Sequence, residues 1–94
     1  MYDAIQNKLI NNMVDNLVVL RTKLQLKQVE LANKIGISRQ TLLAIENKQR
    51  PLSWSTFLTL FTVFNSNEET KLLLDVMGIN TDDVRNALTV QKKN

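Results

Sequence analysis

In the stretch Gly36-Ile37-Ser38-Arg39-Gln40-Thr41-Leu42-Leu43-Ala44-Ile45-Glu46-Asn47, the residues able to do recognition chemistry fall on one side of a short predicted helix. At about 100° per residue, Arg39, Gln40, Leu43, Ala44 and Asn47 share an arc of about 140°, opposite Leu42 and Ile45. A guanidinium donates a pair of hydrogen bonds to guanine O6 and N7, and a glutamine amide pairs with adenine N6 and N7; each good pairing discriminates by about 1 to 3 kcal/mol. Arg39 and Gln40 carry these groups, although the Arg39 guanidinium can bind a phosphate instead. Leu43 offers apolar contact to a thymine methyl group and is expected to be exposed in the free protein, with packing on a neighbouring loop or a partner chain as the alternative. Ala44 is small enough to let the helix approach closely.

Around this arc stand residues suited to a phosphate backbone. Ser38 is placed to cap the helix and to use its remaining hydrogen-bonding capacity on a phosphate. Gln28 opens a preceding helix, where free backbone amides favour an anion, or else it acts only as a capping residue. Lys27, Lys48 and Arg50 supply unspecific cationic anchors, and Thr41 a hydroxyl. Catalysis has little to work with. The chain has no cysteine and no histidine, which removes thiol nucleophiles, disulfides, most zinc sites and the commonest general base near neutral pH. Its carboxylates and lysines form no paired, inward arrangement. No enzyme activity, metal or cofactor is expected.

The elements that must position these residues are helical. Ile5, Leu9, Met13, Leu17, Leu20 and Leu24 recur at steps of three or four from the N-terminus, as one long helix or as two pieces broken near Asp15 and Asn16; the break is favoured, with Asp15 as a new N-cap. Gln28 to Ile35 is a short helix ended by Gly36, which tolerates a left-handed backbone. The next helix follows so closely that the two must cross steeply. From Pro51 to Asn65 there is no charge, and Trp54, Phe57, Leu58, Phe61 and Phe64 form one face, with Leu60 and Val63 off it. Such a helix is buried on several sides. Ser66 with Glu69 is a capping-box pattern opening a helix with Leu72, Leu73, Val76 and Met77 on one side and Gly78 beyond its end. Asn80 or Thr81, with Asp82 and Asp83, opens a last helix carrying Val84, Ala87 and Leu88. The closing Gln91-Lys92-Lys93-Asn94 is expected to fray.

Composition agrees with this outline. The 94 residues are 44% apolar with two glycines and one proline, too few turn formers for a strand protein and enough apolar mass for one modest core. One all-α domain over residues 1–94 is expected, with no repeats or linkers. The N-terminus lacks the basic start and apolar run of a signal peptide, and no stretch approaches membrane-spanning length, so a cytoplasmic protein without membrane contact is expected. Charge is polarised: residues 21–50 hold seven basic and two acidic side chains, while residues 66–91 hold two basic and five acidic ones. The basic part suits a polyanion and the acidic part suits solvent or another protein, although acids at helix starts are also favourable to the helix dipole.

Counting Gln28 as the first position of a two-helix unit, Ala32 is the fifth and Gly36 the ninth, with Leu31, Ile35, Ile37, Leu42 and Ile45 apolar. A small residue at 32 admits the second helix, the glycine makes the turn, and the apolar set fixes the crossing angle. In a DNA-binding unit, that angle lets the second helix project into the major groove. The segment KQVELANKIGISRQTLLAIENKQRP resembles the helix-turn-helix of the phage repressor and Cro-like family, also called the xenobiotic-response-element family, over about residues 18–64. The flanking segments are similar to small regulators of low-GC Gram-positive bacteria.

The resemblance implies a lambda-repressor-like helical domain with its core at about residues 15–65, a bihelical unit at 28–47, an N-terminal helical extension and two short C-terminal helices at about 67–91. It further implies double-stranded DNA as partner, a homodimer in many members, palindromic operators, and a structural ion pair between Arg21 and Glu46. Arg21 on the surface, touching phosphate, is the alternative. Many relatives have glycine after Asn47. Lys48 stands there in this chain, so the helix ends differently or Asn47 itself takes the left-handed cap. The expected function is a sequence-specific transcriptional repressor without an evident small-molecule effector. A protein-interaction module, antitoxin-like or bridging, is the second expectation, motivated by the apolar Leu43, Leu60 and Val63. The N-terminal segment and the helices after Ser66 are both candidates for a dimer surface.

Overall fold

The computed structural model describes residues 2–90, which form six helices: α1 (Ala4–Lys23), α2 (Gln28–Ile35), α3 (Arg39–Glu46), α4 (Trp54–Asn65), α5 (Glu68–Val76) and α6 (Thr81–Leu88). No strand occurs among the described residues, and the protein is all-α. The Gln91–Asn94 tail, expected to fray, lies outside them.

α1 is one unbroken helix of 20 residues, not two. Its start is set by Asp3, whose carboxylate accepts from Gln6 N at 2.8 Å while Gln6 Oε1 accepts from Asp3 N at 3.0 Å. Neither residue at the suggested break caps anything. Asn16 Nδ2 donates to the Asn12 carbonyl at 2.8 Å within the helix, and the Asp15 carboxylate turns outward to Lys48. Leu9, Ile10, Met13, Leu17 and Leu20 are buried, Leu24 is half-buried, and Ile5 is exposed. α1 is the central strut, packing on α3, α4, α5 and α6.

Gly36 ends α2 at φ +78°, and Ser38 opens α3 by accepting from Thr41 N at 3.0 Å. Ser53 opens α4 in the same way. Along α4, Phe57, Leu60, Phe61 and Phe64 are buried, while Trp54, Leu58 and Val63 are half-buried. Leu60 therefore belongs to the main core and is not surplus apolar surface. Trp54 and Phe57 stack with ring centroids 4.9 Å apart. The core is a single cluster drawing on every helix, in which each fully buried Leu or Phe contributes about 1.5 to 3 kcal/mol.

The corner between α4 and α5 departs from the sequence expectation. Ser66 does not cap α5. Its hydroxyl donates to Thr62 O at 2.6 Å at the end of α4, and Asn67 stands at the N-cap with its amide donating to Val63 O. Thr70 is fully buried and its hydroxyl donates to Phe64 O at 2.7 Å, satisfying a carbonyl that α4 leaves open. That bond turns Thr70 and Leu74 inward, with Leu73 and Met77 half-buried. Leu72 and Val76 consequently point to solvent at 76% and 86% exposure, instead of sharing the inner face.

Gly78, at φ +74°, is required twice over: its backbone is left-handed, and a Cβ there would stand 2.6 Å from Asn12 Nδ2, which donates to the Gly78 carbonyl. Asn80 caps α6 by accepting from Asp83 N at 2.8 Å. Val84 holds this last helix to the core, whereas Leu88 is exposed.

Candidate nucleic-acid interface

α2 and α3 are joined by Leu31, Ala32, Ile35, Leu42 and Ile45, all buried, with Ile37 of the turn half-buried against them. With Leu42 and Ile45 fixed inward, Arg39, Gln40 and Asn47 are exposed, and none has a side-chain hydrogen-bond partner among the described residues. Their donors and acceptors are free for a ligand. Leu43 and Ala44 lie on the same side but are half-buried. Leu43 is thus less open than the helical wheel suggests, although it stands outside the core cluster.

The residues assigned to the phosphate backbone fall into two groups. Lys27 and Arg50 are exposed, and their side chains are unpaired among the described residues. The others are engaged. Ser38 Oγ donates to Thr41 Oγ1 at 2.9 Å while accepting from Thr41 N, which leaves the Thr41 hydroxyl proton free and the Ser38 hydroxyl spent. Gln28 is half-buried, and its Nε2 donates to Glu46 Oε1 at 2.9 Å. It does not cap α2 with its side chain. Lys48 Nζ lies 2.8 Å from Asp15 Oδ1, an exposed pair that ties the end of α3 to α1.

Lys48 also answers the question of how α3 ends without glycine. Asn47 keeps φ −87°, and Lys48 itself takes φ +60°. Its N–H then reaches Ile45 O at 3.0 Å, and Gln49 N reaches Ala44 O at 2.8 Å, closing the helix as a glycine would. Holding a lysine there costs about 1 to 2 kcal/mol relative to an ordinary backbone.

Beneath the surface, one carboxylate joins three helices. Arg21 Nε and Nη2 donate to Glu46 Oε2 and Oε1 at 2.7 and 3.2 Å, and Arg21 Nη1 donates to Leu26 O at 3.0 Å. The side chains are 13% and 3% exposed, so the forked pair is shielded from water and salt. With Gln28 added, Glu46 accepts from both α1 and α2 while sitting on α3. This triangle fixes the angle at which α3 is presented.

Sequence reasoning missed Asp15 as the partner of Lys48, Gln28 as the partner of Glu46, and Tyr2, whose hydroxyl accepts from Trp54 N at 3.0 Å. No local pattern announces any of these, because each partner lies on another element. The acidic residues Glu68, Glu69, Asp75, Asp82 and Asp83 stand on α5 and α6, which pack chiefly on α1 and α4. No described helix is long and apolar enough to cross a membrane.

A family model described as helix-turn-helix matches residues 19–70, more than half of the chain, from the last turns of α1 into the first turn of α5. No curated protein and no solved structure matches the chain. The matched span contains the α2–turn–α3 unit, its buried clamp and the exposed arc of Arg39, Gln40 and Asn47. The chain belongs to the helix-turn-helix family of DNA-binding transcriptional regulators.

Proposed function

We propose that the protein is a sequence-specific repressor that binds a palindromic operator as a homodimer, with α3 in the major groove. The observation that carries this reading is the outward arc of α3, where Arg39, Gln40 and Asn47 are exposed and unpaired among the described residues, with the exposed cations Lys27 and Arg50 bracketing the α2–α3 unit in the chain. Base-reading donors on α3 and backbone-neutralising charges at either end of the two-helix unit are the combination that DNA recognition needs. Two such helices about 34 Å apart read half-sites one turn of DNA apart. For the dimer, α5 supports the C-terminal candidate surface. Most of the apolar side of the N-terminal segment is used within the chain, through Leu9, Ile10 and Met13 with Ile5 left exposed, whereas Leu72 and Val76 both lie far out in solvent.

The deciding experiment is selection of bound sites from random DNA with the full chain. Recovery of a palindrome with half-sites one helical turn apart supports the reading. Recovery of unrelated sequences with no shared motif would refute it.

A further inference from the structure

A hydroxyl from the N-terminal arm stands at the edge of the recognition surface. Tyr2 Oη accepts from the backbone N–H of Trp54 at 3.0 Å. The arm is held in place by the Asp3–Gln6 capping box and by Asn7 Nδ2, which donates to Tyr2 O at 3.2 Å. The phenol's own proton has no acceptor among the described residues. Tyr2 lines a cleft of about 390 Å³ together with Thr41, Arg50, Ser53 and Thr56.

The hydrogen-bonding state of these residues shows what the cleft can hold. Ser53 Oγ donates to Thr56 Oγ1 at 2.9 Å and accepts from Thr56 N, so its hydroxyl is used up. The Arg50 guanidinium, the Tyr2 phenol proton and the hydroxyl protons of Thr41 and Thr56 remain unspent. No carboxylate lines the cleft. Beside the apolar wall of Ile37, Ile45, Pro51 and Leu52, four free donors, one of them cationic, with no acid among them, fit an anion. The flank of a recognition helix presents one kind of anion, the phosphodiester.

We propose that Tyr2 is a DNA-backbone contact whose phenol donates to a phosphate oxygen held in the cleft by Arg50 and Thr41. The proposal rests on the reading of α3 as the groove-binding helix. The phenol is neutral, so it adds affinity without releasing a counterion and without reading sequence, unlike Arg50. Tyr2→Phe should weaken binding to every selected duplex about three- to tenfold, as one hydrogen bond does, with an unchanged salt slope. Arg50→Ala should instead lower that slope by about one.

The test uses the full chain and a short duplex selected by the wild-type protein, with each phosphate replaced in turn by a neutral methylphosphonate. At one phosphate the affinity penalty should be smaller for Tyr2→Phe than for wild type, by the factor that the substitution itself costs. Equal penalties at every position would overturn the proposal. So would undiminished affinity of Tyr2→Phe. A lowered unfolding midpoint with equal penalties would show that the hydroxyl serves only the start of α4, and would overturn it too. Arg39→Ala keeps the two readings apart, because it should change base preference while leaving the phosphate pattern in place. If wild type binds no selected duplex, the groove-binding reading fails and this proposal with it.

Discussion

At the scale of single residues, the division of labour on α3 follows from what each side chain has left to offer. Arg39 and Gln40 are exposed and unspent, so their substitution should change recognition and not folding. Arg39→Ala is expected to relax preference at one base position by about 1 to 3 kcal/mol, whereas Lys27→Ala should weaken all sites alike. Competition binding with duplexes varied one position at a time measures both, and equal losses across all sequences for Arg39→Ala would remove it from base readout. Leu43 is the more delicate case. It is half-buried yet outside the core cluster, so Leu43→Ser should cost less than about 1 kcal/mol of stability. It should also weaken sites with thymine at the contacted step. A thermal shift on the scale of a core truncation would place Leu43 in the packing instead.

At the scale of elements, the presentation of α3 depends on how it is tied at each end. Glu46 accepts from Arg21 on α1 and Gln28 on α2 in a nearly dry site. Glu46→Gln keeps the shape but leaves Arg21 without its counter-charge, and should destabilise by about 3 kcal/mol in denaturant titration. Because the Glu46 side chain is buried, the folded fraction should keep its base preference. At the other end, Lys48 holds φ +60°. Glycine is normally worse than alanine inside a helix, but here the order should invert, with Lys48→Gly more stable than Lys48→Ala by about 1 kcal/mol. Both variants lose the exposed pair with Asp15, so their difference isolates the backbone. Alanine proving the more stable of the two would show that the loop relaxes out of the left-handed conformation.

At the scale of the whole molecule, two surfaces of opposite sign make salt act in opposite directions. The basic side with Lys27, Arg39 and Arg50 should lose DNA affinity linearly in log–log salt plots, with a slope of about 0.9 per phosphate neutralised. The proposed dimer surface around Leu72 and Val76 is flanked by Glu68, Glu69 and Asp75, with Lys71 as the only nearby base on α5. Two copies meeting there bring like charges together, so salt should tighten self-association. Sedimentation at low and moderate salt checks this, and a dimer that weakens with salt would move the interface elsewhere.

Much of this architecture follows from short-range rules that a sequence carries openly. Ser38 and Asn80 cap their helices, Gly36 turns the chain, and the steps of three and four in α2 and α3 place the buried side, because each effect is complete within a turn or two of backbone. The outward placement of Arg39, Gln40 and Asn47 on α3 was legible for the same reason, since Leu42 and Ile45 fix its phase. Where local chemistry offered two satisfactory answers, tertiary structure chose. A break at Asp15 and a continuous α1 both satisfy the backbone, and α1 runs on, with Asp15 on its outer side beside Lys48. Ser66 could have capped α5, but its hydroxyl turns back to Thr62 O and Thr70 takes the open Phe64 carbonyl of α4, with Leu72 and Val76 left in solvent. Gln28 found Glu46 and Tyr2 found Trp54 across 18 and 52 residues of chain, distances over which no periodicity reports. The sequence by itself determined the helical class, the α2–turn–α3 unit and the outward phase of α3; packing decided whether α1 breaks, what opens α5, and which polar groups are already spent.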